Sequence, residues 1–459
     1  METRKSLSRR DLLRLTAGAI GGMVVTVACG ATPTATPAPT AATAAKPTAT
    51  TVPVATPASG AKASIQFWTR LGAEKQPADM SDEWNKAHPE TQVVYQGIPG
   101  GDYRTKLLAS VAGGNPPDVV GMDIVLMPVY TDQNALLAID DYLTAEGAAF
   151  KNDFKQGLWV STVDKGKTYA IPWWSDPSAL FFNVEMATAA GFPKGPQTWD
   201  ELKAIAKSAT KLTGNPDTDI YGMVFPVISP SMFTFLPYLW SAGADLLDQN
   251  NCAGFNNDGG RAALQLLTDL FQNGWMPRSA LYGTDGTALA NIFASGHAAM
   301  YVSGPAILAQ VAKVKPDLKV GAVPMPGPTP GKQASFLGGD NLVAMKATKF
   351  PKQSWEFMKF IVGAELMRKY TLANNGVYCT GLMTRTSAYT PDYFQKFPIQ
   401  ESLQKTAEVG RAPWPSTYLT EARVPLYNAM QAAMGGQQTV QKALAEAEPK
   451  VNQITGCKK

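Results

Sequence analysis

Between residues 64 and 133, short apolar runs of β-branched and aromatic residues alternate with longer helical stretches. This alternation restricts the fold more than any other feature. Ser64-Ile65-Gln66-Phe67-Trp68 reads as a strand, followed by a helix reaching Asn85-Lys86. Gln92-Val93-Val94-Tyr95 reads as a second strand, with a helix from Tyr103 to Val111 behind it. Pro117-Asp118-Val119-Val120-Gly121-Met122 is the third, before a helix from Val125 to Gln133. Strands separated by helices of this length pair in parallel through right-handed crossovers, which predicts an open α/β sheet. Ligands of such sheets sit beyond the carboxyl ends of the strands.

The middle of the chain changes character. Val163 to Pro172 reads as a hairpin with a Lys165-Gly166 turn, running into a proline-fixed segment. Thr198-Trp199-Asp200-Glu201-Leu202 opens a helix as a capping box, with Thr198 at the N-cap and Glu201 three positions on. Further helices are expected at Gly260 to Asn273, Thr287 to Ser295, Lys352 to Leu372 and Thr439 to Val451. The pattern predicts two α/β lobes with the chain crossing between them more than once. No repeat with a period of roughly 20 to 50 residues is visible, which argues against a solenoid or propeller.

The amino terminus speaks of location. Residues 1–28 combine a basic start, an uncharged run of about 14 residues and a small-residue cleavage point, a secretory signal too short to span a bilayer permanently. Arg9 and Arg10, in Ser-Arg-Arg-Asp-Leu-Leu, resemble a twin-arginine export signal. Val27-Ala28-Cys29-Gly30 resembles a lipobox, with Cys29 as the lipidated first residue of the mature chain, although Thr26 departs from that pattern. Residues 29–62 are then almost wholly Ala, Thr and Pro beyond Cys29, a composition that cannot bury a core and reads as an extended spacer. The formal net charge of +4 owes much to the signal, which holds Arg4, Lys5, Arg9, Arg10 and Arg14 against Glu2 and Asp11. The mature chain is therefore near neutral, and nothing in it calls for nucleic acid. Beyond Cys29 the cysteines are Cys252, Cys379 and Cys457, an odd number of which two can pair, at spacings that match no metal site. A protein exported already folded should not depend on such a bridge for its core.

Catalytic signatures are missing. There is no Gly-x-Ser-x-Gly with a histidine partner, no His-Glu-x-x-His and no phosphate loop, and nothing asks for a cofactor or metal. Tryptophans at loop positions are the stronger signal: Trp68 ends the first strand, Trp173 and Trp174 follow the Pro172 corner, and Trp240 precedes a small-residue turn. Trp414 sits in the Arg411-Ala412-Pro413-Trp414-Pro415 loop. Sugars present C–H patches to indoles and hydroxyl pairs to carboxylates, amides and guanidinium groups. Arg70, Asp123 and Asp340 stand just past expected strand ends, where such groups converge, and Arg411 shares the Trp414 loop. Neighbours on a strand face opposite ways, so at least one of Trp173 and Trp174 should face a cleft. Trp199, at a helix start, reads as structural, and Asp118 as a local backbone acceptor.

These residues resemble a known family, the bacterial extracellular solute-binding proteins of the sugar-binding group that serves ABC importers. The likeness is carried by Phe67-Trp68-Thr69, Asn85-Lys86-Ala87-His88-Pro89, Leu107 to Asp118, Gly166 to Pro172, Gly191-Phe192-Pro193 with Thr198 to Leu202, Leu239 to Ala244, Phe293 to Met300 and Ser354 to Phe360. The resemblance implies a two-lobed α/β fold of the periplasmic-binding-protein kind, with a hinge and an interlobe cleft. Carried over, its crossings fall near Tyr169–Pro172, Met300–Gly304 and Gly338–Asn341. That puts 63–170 plus 304–340 in one lobe and 171–303 plus 341–459 in the other. It implies a monomeric lipoprotein, anchored to the cell membrane by lipid alone, that binds a neutral mono- or oligosaccharide and delivers it to permease subunits. A secreted glycoside-processing enzyme and a stalked surface adhesin are the alternatives. After Gly376-Val377 this chain has Tyr378-Cys379-Thr380 where relatives often carry a proline-led segment.

Overall fold

In the computed structural model the three strands read from the sequence form as β1 (Ala63–Thr69), β2 (Thr91–Gly97) and β3 (Val119–Asp123). The structure describes residues 63–71, 75–227, 231–283, 285–413 and 416–458, all within one compact unit of the chain, Ala55–Lys459. Arg9, Arg10, Cys29, the spacer and Trp414 lie outside the described residues. β1 pairs in parallel with both β2 and β3, as their helical connections require. Alternation along β1 sends Phe67 into one core, with Val119, Trp173, Leu342 and Phe357, and turns Trp68 towards Ile98, Tyr103, Val120 and Met122 on the other face.

The remaining strands that matter here are β4 (Ala170–Pro177), β5 (Ala179–Asn183), β6 (Tyr221–Val224), β7 (Ala298–Ser303), β8 (Val320–Val323), β9 (Ser335–Ala344), β10 (Leu382–Met383) and β11 (Gly410–Arg411). The first sheet runs β10-β4-β9-β3-β1-β2, with β11 beside β9; the second runs β8-β5-β7-β6. The first sheet is mixed, because β9 returns from the second lobe antiparallel to both β3 and β4.

The sheets divide the chain differently from the sequence expectation. Pro177 still belongs to the first sheet and Ala179 to the second, so the first crossing lies at Ser178 and not at Tyr169–Pro172. Strand β7, up to Ser303, lies within the second sheet and β8 forms its edge, so the return comes just before Ser335. Beyond Asn341 the chain first stays with the first core, where Trp355, Phe357, Tyr378 and Tyr393 pack, and after β11 it crosses once more, so that Leu419 to Val451 join the second core as the sequence expectation has it. Hydropathy cannot report this, since strands on both sides of a crossing are equally apolar and only register assigns them. The two crossings are stitched together: Ser178 N donates to Phe336 O at 2.8 Å and Ser335 Oγ to Ser178 O at 2.7 Å.

Local expectations translate directly. Lys165 and Gly166 take φ of 49° and 77°, the left-handed pair that a two-residue hairpin turn needs. Thr198 Oγ1 accepts from Glu201 N, while the Glu201 carboxylate accepts from Gln197 N, one residue before the usual reciprocal partner. The helix expected over Lys352 to Leu372 is two, Pro351–Ile361 and Ala364–Ala373, parted at Val362-Gly363 where glycine weakens helix propagation. Cys252 and Cys457 form a disulfide spanning 205 residues, which ties the end of the helix Val440–Thr455 to the second lobe. Cys379 is a buried thiol outside that bridge.

Candidate functional site

Register, not loop chemistry, assembles the candidate site. Asp340 on β9 stands opposite Asp123 on β3 and opposite Trp174 on β4, so three predicted residues lie abreast on adjacent strands. Gly339 makes this row possible. Its φ of +128° and a virtual Cβ only 2.1 Å from the Trp174 carbonyl exclude a side chain there. Arg70 follows β1 and reaches across. Its Nε donates to Asp340 Oδ1 at 2.8 Å, its Nη2 lies 3.8 Å from Asp123 Oδ2, and its guanidinium carbon sits 5.2 Å above the Trp174 ring.

A fourth residue joins them. Asp176 is two positions beyond Trp174 on β4 and therefore shares its face. It packs so tightly against Gly304 that a Cβ there would fall 1.9 Å from Asp176 Oδ1. One arginine thus serves three carboxylates. Burial pushes the Asp340 carboxyl up to about 7, against the pull of Arg70 and with the help of Asp123 and Asp176. Burial likewise raises Asp176 to about 6, opposed by Arg70 and reinforced by Asp123. For Arg70, burial works against the charge, yet Asp340 and Asp123 outweigh it and hold the guanidinium protonated. Three sealed polar atoms in this group have no hydrogen-bond partner among the described residues: Trp174 Nε1, Asp176 Oδ1 and Asp340 Oδ2. Buried polar atoms are normally satisfied, so unpartnered ones gathered around one ion pair single this group out as the candidate site.

A second cluster joins the other lobe to β11 of the first sheet. Trp240 donates from Nε1 to Asp245 Oδ1 at 2.8 Å, Arg411 Nη2 bonds Asp245 Oδ2 at 2.8 Å, and the Arg411 guanidinium lies 4.2 Å above the Trp240 ring. Phe233 and Trp240 both stack near Phe336, which sits at the start of β9. Arg104 on the first-lobe helix Gly100–Ala112 pairs with Glu421 on the second-lobe helix Leu419–Met434 at 3.4 Å, so the two lobes meet here. On that same helix Arg423 lies over Phe233, and its Nε is sealed without a partner.

The sequence-predicted residues separate accordingly. Arg70, Asp123, Trp174 and Asp340 come together; Trp240 and Arg411 form their own group with Asp245. Trp68 lies half-buried on the sheet face that carries Tyr103 and Met122. Trp173 does not join the site: it is fully buried in the first core and donates from Nε1 to Tyr378 Oη at 3.2 Å. The register of β4 against β9 shifts at Trp173, and both indoles pack into the first core; of the two it is Trp174 that lies under the Arg70 guanidinium. Trp199 is structural, its Nε1 bonded to the Pro326 carbonyl, and Asp118 accepts from Gln66 N and from the Thr348 hydroxyl. The sequence reading missed Asp176, whose signal was its spacing of two from Trp174. It also missed Arg104, Phe233, Glu421 and Arg423, on helical segments with no motif.

Residues 67–367 of this chain match the family described as bacterial extracellular solute-binding protein. The diacetylchitobiose binding protein DasA of Streptomyces coelicolor is 24% identical over 309 residues, covering 65% of this chain and 69% of that protein. Among solved structures, the sugar-binding protein MalE of Xanthomonas citri superposes with a TM-score of 0.74 at 22% identity, covering 86% of this chain and 97% of that one. The GacH receptor of Streptomyces glaucescens, solved unliganded and with acarbose, gives a TM-score of 0.73 at 24% identity over 87% of this chain and all of its own, 100%. The two-lobed fold is theirs as well, and with residues 67–367 matched, the chain belongs to the family of bacterial extracellular solute-binding proteins.

Proposed function

We propose that this protein is the substrate-binding component of an ABC importer, a monomeric lipoprotein that captures a neutral mono- or oligosaccharide between its lobes and delivers it to the permease. The observation that carries this reading is the set of sealed, unpartnered atoms around Arg70: two carboxylate acceptors, Asp176 Oδ1 and Asp340 Oδ2, and one donor, Trp174 Nε1. Sugar hydroxyls donate and accept at once, so one ligand can satisfy all three. A phosphate ligand would meet three carboxylates and is disfavoured. Arg70 and Arg411 cover faces of Trp174 and Trp240, so ligand stacking on either indole requires its arginine to shift. The lobes are 63–177 with 335–411 and 178–334 with 416–458. Cys29 and the spacer tether the catcher beside its importer after twin-arginine export. The role is binding and not catalysis: ligand favours the closed form because only there do both lobes touch it.

A thermal-shift screen of mono- and disaccharides with the mature protein tests the reading, with the ligand raising the melting temperature by several degrees at about a hundred times its Kd. Small-angle scattering should show compaction with that ligand. Release of a cleaved product would replace this reading with a glycoside-processing enzyme, and binding of an extended polymer without compaction would replace it with an adhesin.

Titration gives a second check. Both carboxyls have folded pKa values raised above the ordinary 3.8, to about 6 for Asp176 and about 7 for Asp340. Their contribution to the stability of the ligand-free protein is therefore fully present below about pH 4 and lost as pH rises through about 6 and 7. Ligand hydroxyls prefer the ionised acceptors, so affinity moves the other way, strengthening about tenfold from pH 5 to pH 8. Isothermal titration across that range should show the rise, and Asp176→Asn should flatten its lower half.

A further inference from the structure

A second cavity of about 530 Å³ lies away from the Arg70 site. Its walls are the segment Lys155 to Leu158, residues Thr386, Tyr389 and Phe394, and the helix Ile399–Glu408, with Leu337 and Gly410 completing the lining. Leu158, Leu337 and Ala407 form a small apolar cluster of their own, and Tyr389 stacks on Phe394 at an interplanar angle of 10°. The size falls within the usual range for small-molecule pockets, about 300 to 1,000 Å³.

Two donors sit in this apolar lining without acceptors. Lys155 Nζ is sealed from solvent, lies 4.8 Å above the Tyr389 ring and has no hydrogen-bond partner among the described residues. A lysine stem is long enough to carry its ammonium to water, so a head group kept inside needs a reason. Gln404 Nε2 is sealed as well, near the Tyr389 hydroxyl but without a geometrically sound hydrogen bond to it. The opposite charge that acts on Lys155 is Glu408, an exposed residue of the cavity lining that makes no ion pair with it. Burial accordingly pulls the amine down to about 7, with Glu408 pulling the other way. A methionine would fill the same space at no electrostatic cost.

We infer that this cavity binds a small organic monocarboxylate, its carboxylate on Lys155 Nζ and Gln404 Nε2 and its apolar body against Tyr389, Phe394, Leu158 and Leu337. A carboxylate supplies the acceptors both donors lack, and the aromatic lining takes a hydrocarbon or phenyl body. A free inorganic anion would leave most of the cavity unfilled, and a sugar would find few polar partners on these walls.

Saturation-transfer NMR on the intact protein, with 3-phenylpropionate as probe and 3-phenylpropan-1-ol as its uncharged counterpart, tests the site. The acid is expected to receive saturation on its phenyl protons and to bind about tenfold more tightly than the alcohol. Lys155→Met should weaken the acid at least about tenfold and Lys155→Arg should restore most of it, while the response to the saccharide found by thermal shift stays unchanged. If Lys155→Met does not melt cooperatively, Gln404→Leu takes its place with the same expected loss. Absence of transfer, equal affinity for acid and alcohol, or undiminished binding in a folded variant each overturns the inference, and none of these outcomes bears on the carbohydrate cleft.

Discussion

Arg70→Met is expected to weaken carbohydrate binding on the order of a hundredfold and to lower stability by about 2 kcal/mol at pH 8. The Asp340 side chain is fully buried and its one ion-pair partner among the described residues is Arg70, whose Nε lies 2.8 Å from Oδ1. Breaking a buried pair from one side typically costs about 3 to 5 kcal/mol, because the remaining charge is left without compensation. Two features reduce that here. The Arg70 side chain is 30% exposed, so part of its interaction is already screened. The Asp340 carboxyl, raised to about 7 by burial, can also escape the penalty by taking a proton. The stability loss should therefore shrink as pH falls below about 6, and so should the part of the binding loss carried by Asp340, because its protonated carboxyl offers no anionic acceptor in the parent protein either. Chemical denaturation at two pH values, with calorimetric titration beside it, separates the two effects. Equal stability loss at both pH values would show that Asp340 does not titrate in the folded protein.

Removing the Cys252–Cys457 bridge, by Cys457→Ser or by reductant, should cost about 2 to 4 kcal/mol without preventing folding. The bridge joins cysteines at a sequence separation of 205, which in the chain-entropy account puts it towards the upper end of that range. Its location limits the damage: it fastens the end of one helix to the second lobe, and the first core contains neither cysteine. That helix also packs Val440, Ala443, Leu444, Ala447 and Val451 against the second core, so it keeps its place when the bond is cut. The reduced protein should thus stay two-lobed and keep its ligand affinity, with a lower melting temperature, as the proposed export in a folded state requires. Loss of binding on reduction would show that folding depends on the bond.

Legibility in the sequence followed the reach of the forces involved. Parallel strands, the Lys165-Gly166 hairpin and the Thr198 cap depend on neighbours within about one element, and each could be read from residue pattern. Arg70, Asp123 and Asp340 were legible because strand ends converge in sheets of this kind. Asp176 was missed because Trp173-Trp174 drew attention to bulk, while the decisive fact was the shared face of positions 174 and 176. Trp173 was overvalued for the same reason. The lobe boundaries were not legible, since nothing local in β9 says that it returns to sit between β3 and β4. Arg104, Glu421 and Arg423 meet only through tertiary packing.

The central position of β9 also sets a timetable for synthesis. Strands β3 and β4 each keep an unpaired edge until residues 335–344 leave the ribosome, because that late segment is the one that fills the gap between them. Neither lobe is a contiguous stretch of chain, so an N-terminal-first route cannot complete the first domain early. The nascent polypeptide must keep two adhesive sheet edges from pairing wrongly between the synthesis of Pro177 and that of Ser335, which couples its yield to the speed at which its final third is made.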